Sequence, residues 1–208
     1  MNKLYVIKIG GSVIKDESQL SEFLDQFKRI DAPKILVHGG GSKATSVAES
    51  LGVNVQMTDG RRITGAEMLE VVTMVYGGLI NKNLVAQLQN RGCNAIGLTG
   101  ADADIIHAHR REIADINYGY VGDINSVKTG TLHRFLESGL TPVVAALTHD
   151  GQGTMLNTNA DTIAATVAGA FSADYHVELL FCFEHNGVLE SLKNPASVLS
   201  SLSYQDYT

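Results

Sequence analysis

Short, continuous apolar runs alternate along the chain with longer segments whose apolar residues recur every three or four positions. The continuous runs are typical of strands covered on both faces, and they predict strands at residues 4–9, 34–38, 94–98, 141–147 and 177–183. The periodic segments predict helices at residues 18–30, 43–51, 65–90, 130–138 and 160–172. Because strands and helices alternate, the pattern predicts an α/β fold, a three-layer αβα sandwich around a mainly parallel sheet.

Two segments interrupt this alternation, residues 53–64 and residues 103–124. Both are predicted to be β-hairpins, the first turning at the dipeptide Asp59-Gly60. In an α/β fold, ligands bind beyond the carboxyl ends of the strands. We therefore expect both hairpins to project over that edge of the sheet, close to a ligand.

Composition narrows the class of protein. The 208 residues are 44% hydrophobic and 18% charged, as in a soluble globular protein. A net charge of −6 argues against a nucleic-acid-binding surface. Two distant cysteines in apolar surroundings, Cys93 and Cys182, make a disulfide scaffold unexpected and fit a reducing compartment. With no apolar run long enough to span a membrane and no signal-peptide pattern at the start, we expect a soluble cytoplasmic protein.

Two strands end in glycines. The first run stops at Gly10-Gly11-Ser12, just after Lys8, and glycine amides can approach an oxygen anion without a Cβ in the way. An ammonium group there would balance the charge of a phosphoryl group in transfer. Taken alone, this motif is explained more simply by an ordinary strand-to-helix turn preceded by a surface lysine.

The second glycine run, Gly39–Gly41, follows His38 and precedes Ser42. Three successive glycines cost backbone entropy that a simple turn does not require, so they indicate a ligand lying against the main chain. The spacing fits neither a Walker A loop nor a dinucleotide fingerprint. We interpret His38 as a hydrogen-bonded histidine at a strand end rather than as a catalytic base.

Polar residues at two further places are candidates for ligand binding. Adjacent Arg61 and Arg62 point to opposite sides of a strand, so one can clamp a carboxylate while the other faces solvent. A solvated hairpin charge pair explains them equally well. In Asn157-Thr158-Asn159-Ala160-Asp161, helix capping explains one of the three polar amide or carboxylate residues but not all of them. No group of residues has metal-site or catalytic-triad spacing.

Five motifs succeed one another in the order KIGGS, HGGGSK, DGRRIT, GYVGDI and NTNAD. As an ordered set they resemble the amino acid kinase family, and within it the branch that phosphorylates the side-chain carboxylate of N-acetylglutamate or another N-acylglutamate in arginine biosynthesis. The resemblance runs from Lys8 to about Leu189. It implies the fold of that family, ATP and Mg²⁺ as cofactors, and a small-molecule acylglutamate as the partner, with no nucleic acid and no membrane.

The resemblance also implies catalytic roles at matching positions. Lys8 would contact the transferring phosphoryl group, Gly11 would supply a backbone amide, and Asp161 would orient the lysine. Arg62 would hold the α-carboxylate of the substrate, and Asn157 would bind the acylated amino acid. The full set of implied substrate-binding residues is Gly40, Gly41, Arg62, Asn157 and Asn159.

Nucleotide contacts are implied at Gly10, Ser12 and Glu184. In this family an aspartate usually occupies the position of Glu184, on the loop after the fifth strand. The family then continues through a Gly-Met-x-x-Lys segment with a second catalytic lysine, which this sequence does not contain. We therefore expect an acylglutamate-binding lobe over residues 1–175 and the start of an incomplete nucleotide-binding lobe over residues 176–208, in part of a longer chain or in a shortened relative.

The resemblance leaves some alternatives open. It implies an arginine-insensitive homodimer, with the helix at residues 65–90 at the interface. Another amino acid or carbamate kinase is the nearest alternative function. A non-catalytic, metabolite-binding or regulatory relative is the alternative from a different class.

Overall fold

The computed structural model describes residues 2–58, 60–183, 187–191, 193–194, 196–201 and 203. Its strands are, in chain order, β1 (Lys3–Ile9), β2 (Lys34–His38), β3 (Gln56–Thr58), β4 (Arg61–Ile63), β5 (Ala95–Leu98), β6 (Ile106–Arg110), β7 (Gly122–Val127), β8 (Thr141–Ala145), β9 (Leu147–His149), β10 (Met155–Asn157) and β11 (His176–Cys182). Its α-helices are α1 (Gly11–Lys15), α2 (Glu17–Arg29), α3 (Gly41–Ser50), α4 (Ala66–Val72), α5 (Asn81–Asn90), α6 (Thr129–Glu137) and α7 (Ala160–Phe171). None of the helices in these described ranges is long and apolar enough to cross a bilayer.

The central sheet has the strand order β11-β1-β2-β8-β5, and all its neighbouring strands are parallel. Every residue of β2 and of β8 is buried. Their continuous apolar sequences are explained by helices that cover both faces of the sheet. The predicted α/β class and all five predicted strands of this sheet are confirmed.

One predicted strand boundary was wrong. The strand predicted at residues 141–147 ends at Ala145, and Leu147–His149 forms β9 in a second sheet of order β10-β9-β6-β7. β9 pairs with β10 as an antiparallel hairpin that the sequence did not predict. In the sequence, β9 directly continues the apolar run of β8. That run therefore gave no sign that the chain changes sheets after Ala146.

Both predicted hairpins form. β3 and β4 pair antiparallel within residues 53–64; Asp59 of the predicted turn lies outside the described residues. β6 and β7 also pair antiparallel, with a register shift between His107 and Ala108, although β7 extends to Val127, beyond the predicted limit of residue 124. The longer hairpin belongs to the second sheet, so it is supported by β9 as well as by its own partner strand.

The single helix predicted at residues 65–90 is divided into three parts. A π-helical segment, Thr73–Ile80, lies between α4 and α5. A π-helix has wider turns than an α-helix and occurs frequently at functional sites. Here the wider turns place Tyr76 and Ile80 against the second glycine loop, where a Cβ on Gly40 would lie 2.2 Å from Ile80 Cδ1.

Candidate active site

Most of the predicted site residues line one cavity of about 240 Å³ at the carboxyl ends of β1 and β2. The β3–β4 hairpin closes one side of it, and the start of α7 closes another. The predicted residues that line it are Lys8, Gly11, Gly40, Gly41, Arg62, Asn157, Asn159 and Asp161. Four separate parts of the chain thus converge on this one cavity.

Lys8 and Asp161 form an ion pair across the cavity. Lys8 Nζ lies 2.8 Å from Asp161 Oδ1, with the lysine side chain 17% exposed and the carboxylate 52% exposed. Lys8 comes from the sixth position of β1, and Asp161 lies in the first turn of α7, as predicted. The carboxylate therefore fixes the direction of the ammonium group at the mouth of the cavity.

The second glycine loop supplies bare backbone to the cavity. Gly40 has φ +153°, and a Cβ there would meet Ile80 at 2.2 Å and the Tyr76 ring at 3.1 Å, so glycine is required for packing alone. At Gly39 and Gly41 a Cβ would meet only one protein atom each, at 3.6 and 3.8 Å. Those two positions have no steric need for glycine within the protein, which favours a ligand that approaches the main chain there.

Arg62 is the buried member of the arginine pair, 9% exposed. Its Nη2 donates to Gly41 O at 2.9 Å and to Thr45 Oγ1 at 2.8 Å, which ties the hairpin to the first turn of α3. Arg61 is half-exposed and also lines the cavity. The two arginines thus differ in exposure, as expected for neighbours on a strand. Both line the cavity, however, whereas only one of them was expected to face a ligand.

Asn157 and Asn159 have different local partners. The Asn157 side chain donates from Nδ2 to Thr64 Oγ1 at 3.0 Å. Asn159 is the N-cap of α7, and its Oδ1 accepts from Thr162 N at 2.9 Å. Capping thus explains one member of this polar cluster, Asn159, while Asp161 pairs with Lys8 and Asn157 contacts Thr64, the residue that follows β4.

His38 is buried and hydrogen-bonded at both ring nitrogens. Nδ1–H donates to Gly39 O at 2.9 Å, and Nε2 accepts from Asn81 Nδ2 at 3.0 Å. Burial lowers the pKa of His38 to about 4, against a smaller upward effect of the Gly39 carbonyl. The prediction of a hydrogen-bonded structural histidine is confirmed, and the ring is neutral at physiological pH.

The three residues assigned to the nucleotide lie apart from this cavity or outside the described chain. Gly10 N donates to Cys182 O at 2.8 Å, so its amide belongs to the contact between β1 and β11. Ser12 lies in α1, and neither it nor Gly10 is a lining residue. Glu184 lies outside the described residues.

Sequence reasoning missed several lining residues. Tyr76 is 5% exposed and reaches the cavity because of the π-helical segment, which no local sequence pattern announces. Burial raises the pKa of Tyr76, and the nearby Arg62 has a smaller effect in the opposite direction.

Within the described ranges, no group of three or more histidine, cysteine, aspartate or glutamate side chains is placed to hold a metal ion.

A second, larger cavity of about 520 Å³ shares Gly11 and Gly40 with the first. It lies between α1, α3 and α5 and is lined mainly by apolar atoms. Lys8, Arg62, Asn157 and Asp161 all lie in the smaller cavity and not in this one. The smaller cavity is therefore the candidate active site, because charged and polar groups converge there.

Comparison with known proteins shows which proteins this chain resembles. The sequence is 53% identical over all 208 residues to an acetylglutamate kinase from Cytophaga hutchinsonii, 79% of whose length is covered. It is 40% identical to one from Methanopyrus kandleri, over 97% of this chain and 79% of that protein. Among solved structures, smu.665 from Streptococcus mutans is 31% identical, with a TM-score of 0.74 over 90% of this chain and 75% of that one.

An N-acetylglutamate synthase from Neisseria gonorrhoeae shares the fold, with a TM-score of 0.78 at 19% identity, over 95% of this chain and 44% of that one. The sequence model of the amino acid kinase family matches residues 3–208 of this chain. These matches agree with the mainly parallel central sheet and with the family that the five motifs resemble. The chain belongs to the amino acid kinase family.

Proposed function

We propose that this protein transfers the γ-phosphate of MgATP to the side-chain carboxylate of N-acetylglutamate. The observation that carries the proposal is the Lys8–Asp161 ion pair, 2.8 Å long, in the same cavity as Arg62 and Asn157. The names of the acetylglutamate kinases, 53% and 50% identical to this chain, support the choice of acceptor. Mg²⁺ enters in this proposal as part of the nucleotide substrate.

The charge of the cavity suits a reaction between two anions. Among its described lining residues, the cations Lys8, Arg61 and Arg62 outnumber the one carboxylate, Asp161. A carboxylate acceptor and a triphosphate repel each other, so their approach requires neutralising groups. The excess of positive charge provides that neutralisation.

The chemical step requires no general base, because the acceptor carboxylate is already an anionic nucleophile. One of its oxygens forms a bond to the γ-phosphorus while the bond between that phosphorus and the β–γ bridging oxygen breaks, and ADP leaves with the electron pair. Lys8 would neutralise the charge on the phosphoryl group in transfer, held in place by Asp161. Catalysis would rest on alignment and charge stabilisation.

The remaining groups would bind and align the two substrates. Arg62 would hold the α-carboxylate, since guanidinium groups bind carboxylates in a planar, two-point geometry. Asn157 and Asn159 would contact the acylated amino group, and Gly40 and Gly41 would let the acceptor carboxylate and the γ-phosphate approach the backbone. Gly11 would contribute its amide to the phosphoryl group, while Gly10, Ser12 and Glu184 remain the proposed nucleotide contacts.

Three finer points accompany the proposal. Residues 1–175 would bind the acylglutamate and residues 176–208 would begin the nucleotide-binding lobe. The protein would act in the cytoplasm as a homodimer. Exposed apolar side chains on the π-helical segment, Met74 at 55% and Leu79 at 45%, support an interface that includes residues 65–90.

A coupled assay of ADP release tests the proposed reaction. Purified protein is supplied with MgATP and, separately, with N-acetylglutamate, N-succinylglutamate and free glutamate. We expect turnover with N-acetylglutamate and much slower turnover with free glutamate, which lacks the acyl group. Turnover of none of the three would overturn the proposal and favour a metabolite-binding protein, and preference for N-succinylglutamate would correct the acyl group.

A further inference from the structure

Thr64 connects two of the proposed substrate-binding residues without lining the cavity itself. We infer that Thr64 is a positioning residue whose hydroxyl fixes which end of the Asn157 amide faces the acyl substrate. The inference rests on the proposed function. It identifies Asn157 Oδ1 as the acceptor that makes the site selective for an acylated amine. Thr64 is the last residue of the motif DGRRIT, but the sequence predicted no role for it.

The contacts of Thr64 are those of a fully buried hydrogen-bond relay. The residue is 0% exposed. Its Oγ1 lies 3.1 Å from Arg62 O and 3.0 Å from Asn157 Nδ2. One hydroxyl therefore joins the main chain of the proposed carboxylate clamp to the side chain of the proposed acyl-group ligand, 93 residues further along the chain.

The direction of each hydrogen bond in this relay follows from elementary chemistry. A backbone carbonyl can only accept, so Thr64 must donate its single hydroxyl proton to Arg62 O. The oxygen of Thr64 is then left as an acceptor for Asn157, and only the NH₂ end of that amide can donate to it. The orientation of the Asn157 amide is therefore determined by the relay.

The backbone on both sides holds the relay in register. Thr64 N donates to Tyr118 O at 3.0 Å, and Tyr120 N donates to Thr64 O at 2.8 Å. Asn157 N in turn donates to Tyr120 O at 2.8 Å. Between these contacts, Gly119 has φ +69°, and a Cβ there would lie 2.3 Å from Thr64 O, so only glycine permits this close approach.

The fixed amide has a consequence for the substrate. Within the described part of the chain, Asn157 Oδ1 has no hydrogen-bond partner, and the residue lines the cavity. The cavity is thus offered an acceptor, which matches the N–H of an acylated amine. An ester analogue, with an oxygen in place of that N–H, would bring two lone pairs together and lose the hydrogen bond.

Paired substitutions at Thr64 test the relay. Thr64→Val keeps the branched shape and removes the hydroxyl, whereas Thr64→Ser keeps the hydroxyl. We expect Thr64→Val to raise the KM for N-acetylglutamate about two- to tenfold, the effect of one hydrogen bond, with little change in the KM for MgATP. Thr64→Ser should recover most of the affinity, and Thr166→Val, which removes a helical hydroxyl bonded to Thr162 O outside the cavity, should leave both constants unchanged.

A merely structural role would not alter selectivity, so the ester analogue 2-acetoxyglutarate provides the second measurement. Wild-type protein should prefer N-acetylglutamate to this ester by about a hundredfold or more. In Thr64→Val the amide can rotate and offer Nδ2–H to the ester oxygen, so the preference should fall about tenfold. The same preference in both proteins, or equal losses in Thr64→Val and Thr64→Ser, would overturn the inference.

A measurement on the ligand-free protein separates this inference from the proposed reaction. One Asn157 side-chain amide proton should exchange more slowly with solvent in wild type and in Thr64→Ser than in Thr64→Val. Equal exchange in all three would overturn the relay whatever the substrate is. Failure of wild-type protein to bind or phosphorylate N-acetylglutamate, with slow exchange preserved, would overturn the proposed function and the substrate selectivity but leave the fixed amide intact.

Discussion

At the scale of single residues, the two cations Lys8 and Arg62 of the cavity are held in different ways. Lys8 is held by a carboxylate at 2.8 Å, so its ammonium keeps two further N–H groups for a ligand. Arg62 is held by uncharged groups, Gly41 O, Thr45 Oγ1 and Met68 Sδ, and no carboxylate among the described residues pairs with it. The two residues should therefore respond differently to substitution.

Replacing Lys8 should affect the chemical step. Lys8→Ala should lower kcat on the order of a hundred- to a thousandfold, the usual effect of one group that stabilises transition-state charge, with a small change in the KM for N-acetylglutamate. Steady-state kinetics measure both constants. Lys8→Arg, which keeps the charge but not the length, serves as the control, and unchanged kcat in Lys8→Ala would remove the proposed role.

Replacing Arg62 should affect substrate binding. Arg62→Ala should raise the KM for N-acetylglutamate by about tenfold or more, because a charge-assisted hydrogen bond to a carboxylate is worth about 1.5–3 kcal/mol. Arg62→Lys should raise it less, since it keeps the charge but loses the planar two-point contact.

Kinetics of both variants with fixed saturating MgATP provide the measurement for Arg62. The melting temperature must be recorded as well, because Arg62 also binds the first turn of α3. If Arg62→Ala folds and shows the wild-type KM, another group must hold the α-carboxylate.

At the scale of elements, α2 and α7 allow a matched comparison of capping with ligand binding. Asp16 caps α2 by accepting from Gln19 N at 2.9 Å, and Asn159 caps α7 by accepting from Thr162 N at 2.9 Å. The first cap lies outside the candidate active site, and the second lines it. The two caps are alike in geometry but differ in position.

Removing either cap should lower the free energy of unfolding by about 1 kcal/mol, since an N-cap accounts for that much. Asp16→Ala should leave the kinetic constants unchanged, whereas Asn159→Ala should also raise the KM for N-acetylglutamate. Urea denaturation and steady-state kinetics on both variants measure the two effects. Wild-type kinetics in Asn159→Ala would limit that residue to capping.

The sequence predicted the elements of the central sheet because each strand there is a continuous apolar run that is buried on both faces. It did not predict β9, since Leu147–His149 continues the apolar run of β8 and only the tertiary structure turns it into the second sheet. It did not predict the π-helical segment, whose Tyr76 and Ile80 pack against Gly40, because no local sequence pattern distinguishes this segment from an α-helix.

In the candidate site too, the residues visible in local sequence motifs were predicted, and those whose role depends on tertiary contacts were not. Glycines, Lys8 and Asp161 were predicted because their chemistry is visible in the motifs, and the fold brings them together. The sequence predicted no role for Thr64, although this residue ends the motif DGRRIT, and it gave no sign of Tyr76. A buried hydroxyl and a buried aromatic ring look like core residues until their neighbours are known. Positioning residues are in general harder to predict than the groups they position, since their role depends on a contact distant in sequence.

At the scale of the whole molecule, His38 links the stability of the fold to pH. It sits at the end of β2, the middle strand of the central sheet, is 0% exposed, and has its pKa lowered to about 4, chiefly by burial. In the unfolded chain the imidazole titrates near its ordinary value of 6.5. As pH falls below that value, the unfolded chain therefore binds a proton that the folded protein does not.

The contribution of His38 to stability is accordingly complete above its unfolded pKa of 6.5 and declines as pH falls towards about 4. Within that window the free energy of unfolding should fall by up to about 1.4 kcal/mol per pH unit from this residue. His38→Gln, which can still donate and accept hydrogen bonds but does not titrate, should lose this slope. His176→Gln removes an exposed histidine of the same sheet and should keep it.

Urea denaturation of the three proteins at intervals from about pH 7.5 to about pH 4.5 measures the slopes. The informative quantity is the difference between wild type and His38→Gln, because carboxylates that titrate at the acid end contribute equally to both proteins and cancel. Equal slopes in the two proteins would show that His38 is protonated in the folded state. That result would require its Nε2 to donate, which the amide nitrogen of Asn81 cannot accept, so the contact between β2 and α5 would have to rearrange as the pH falls.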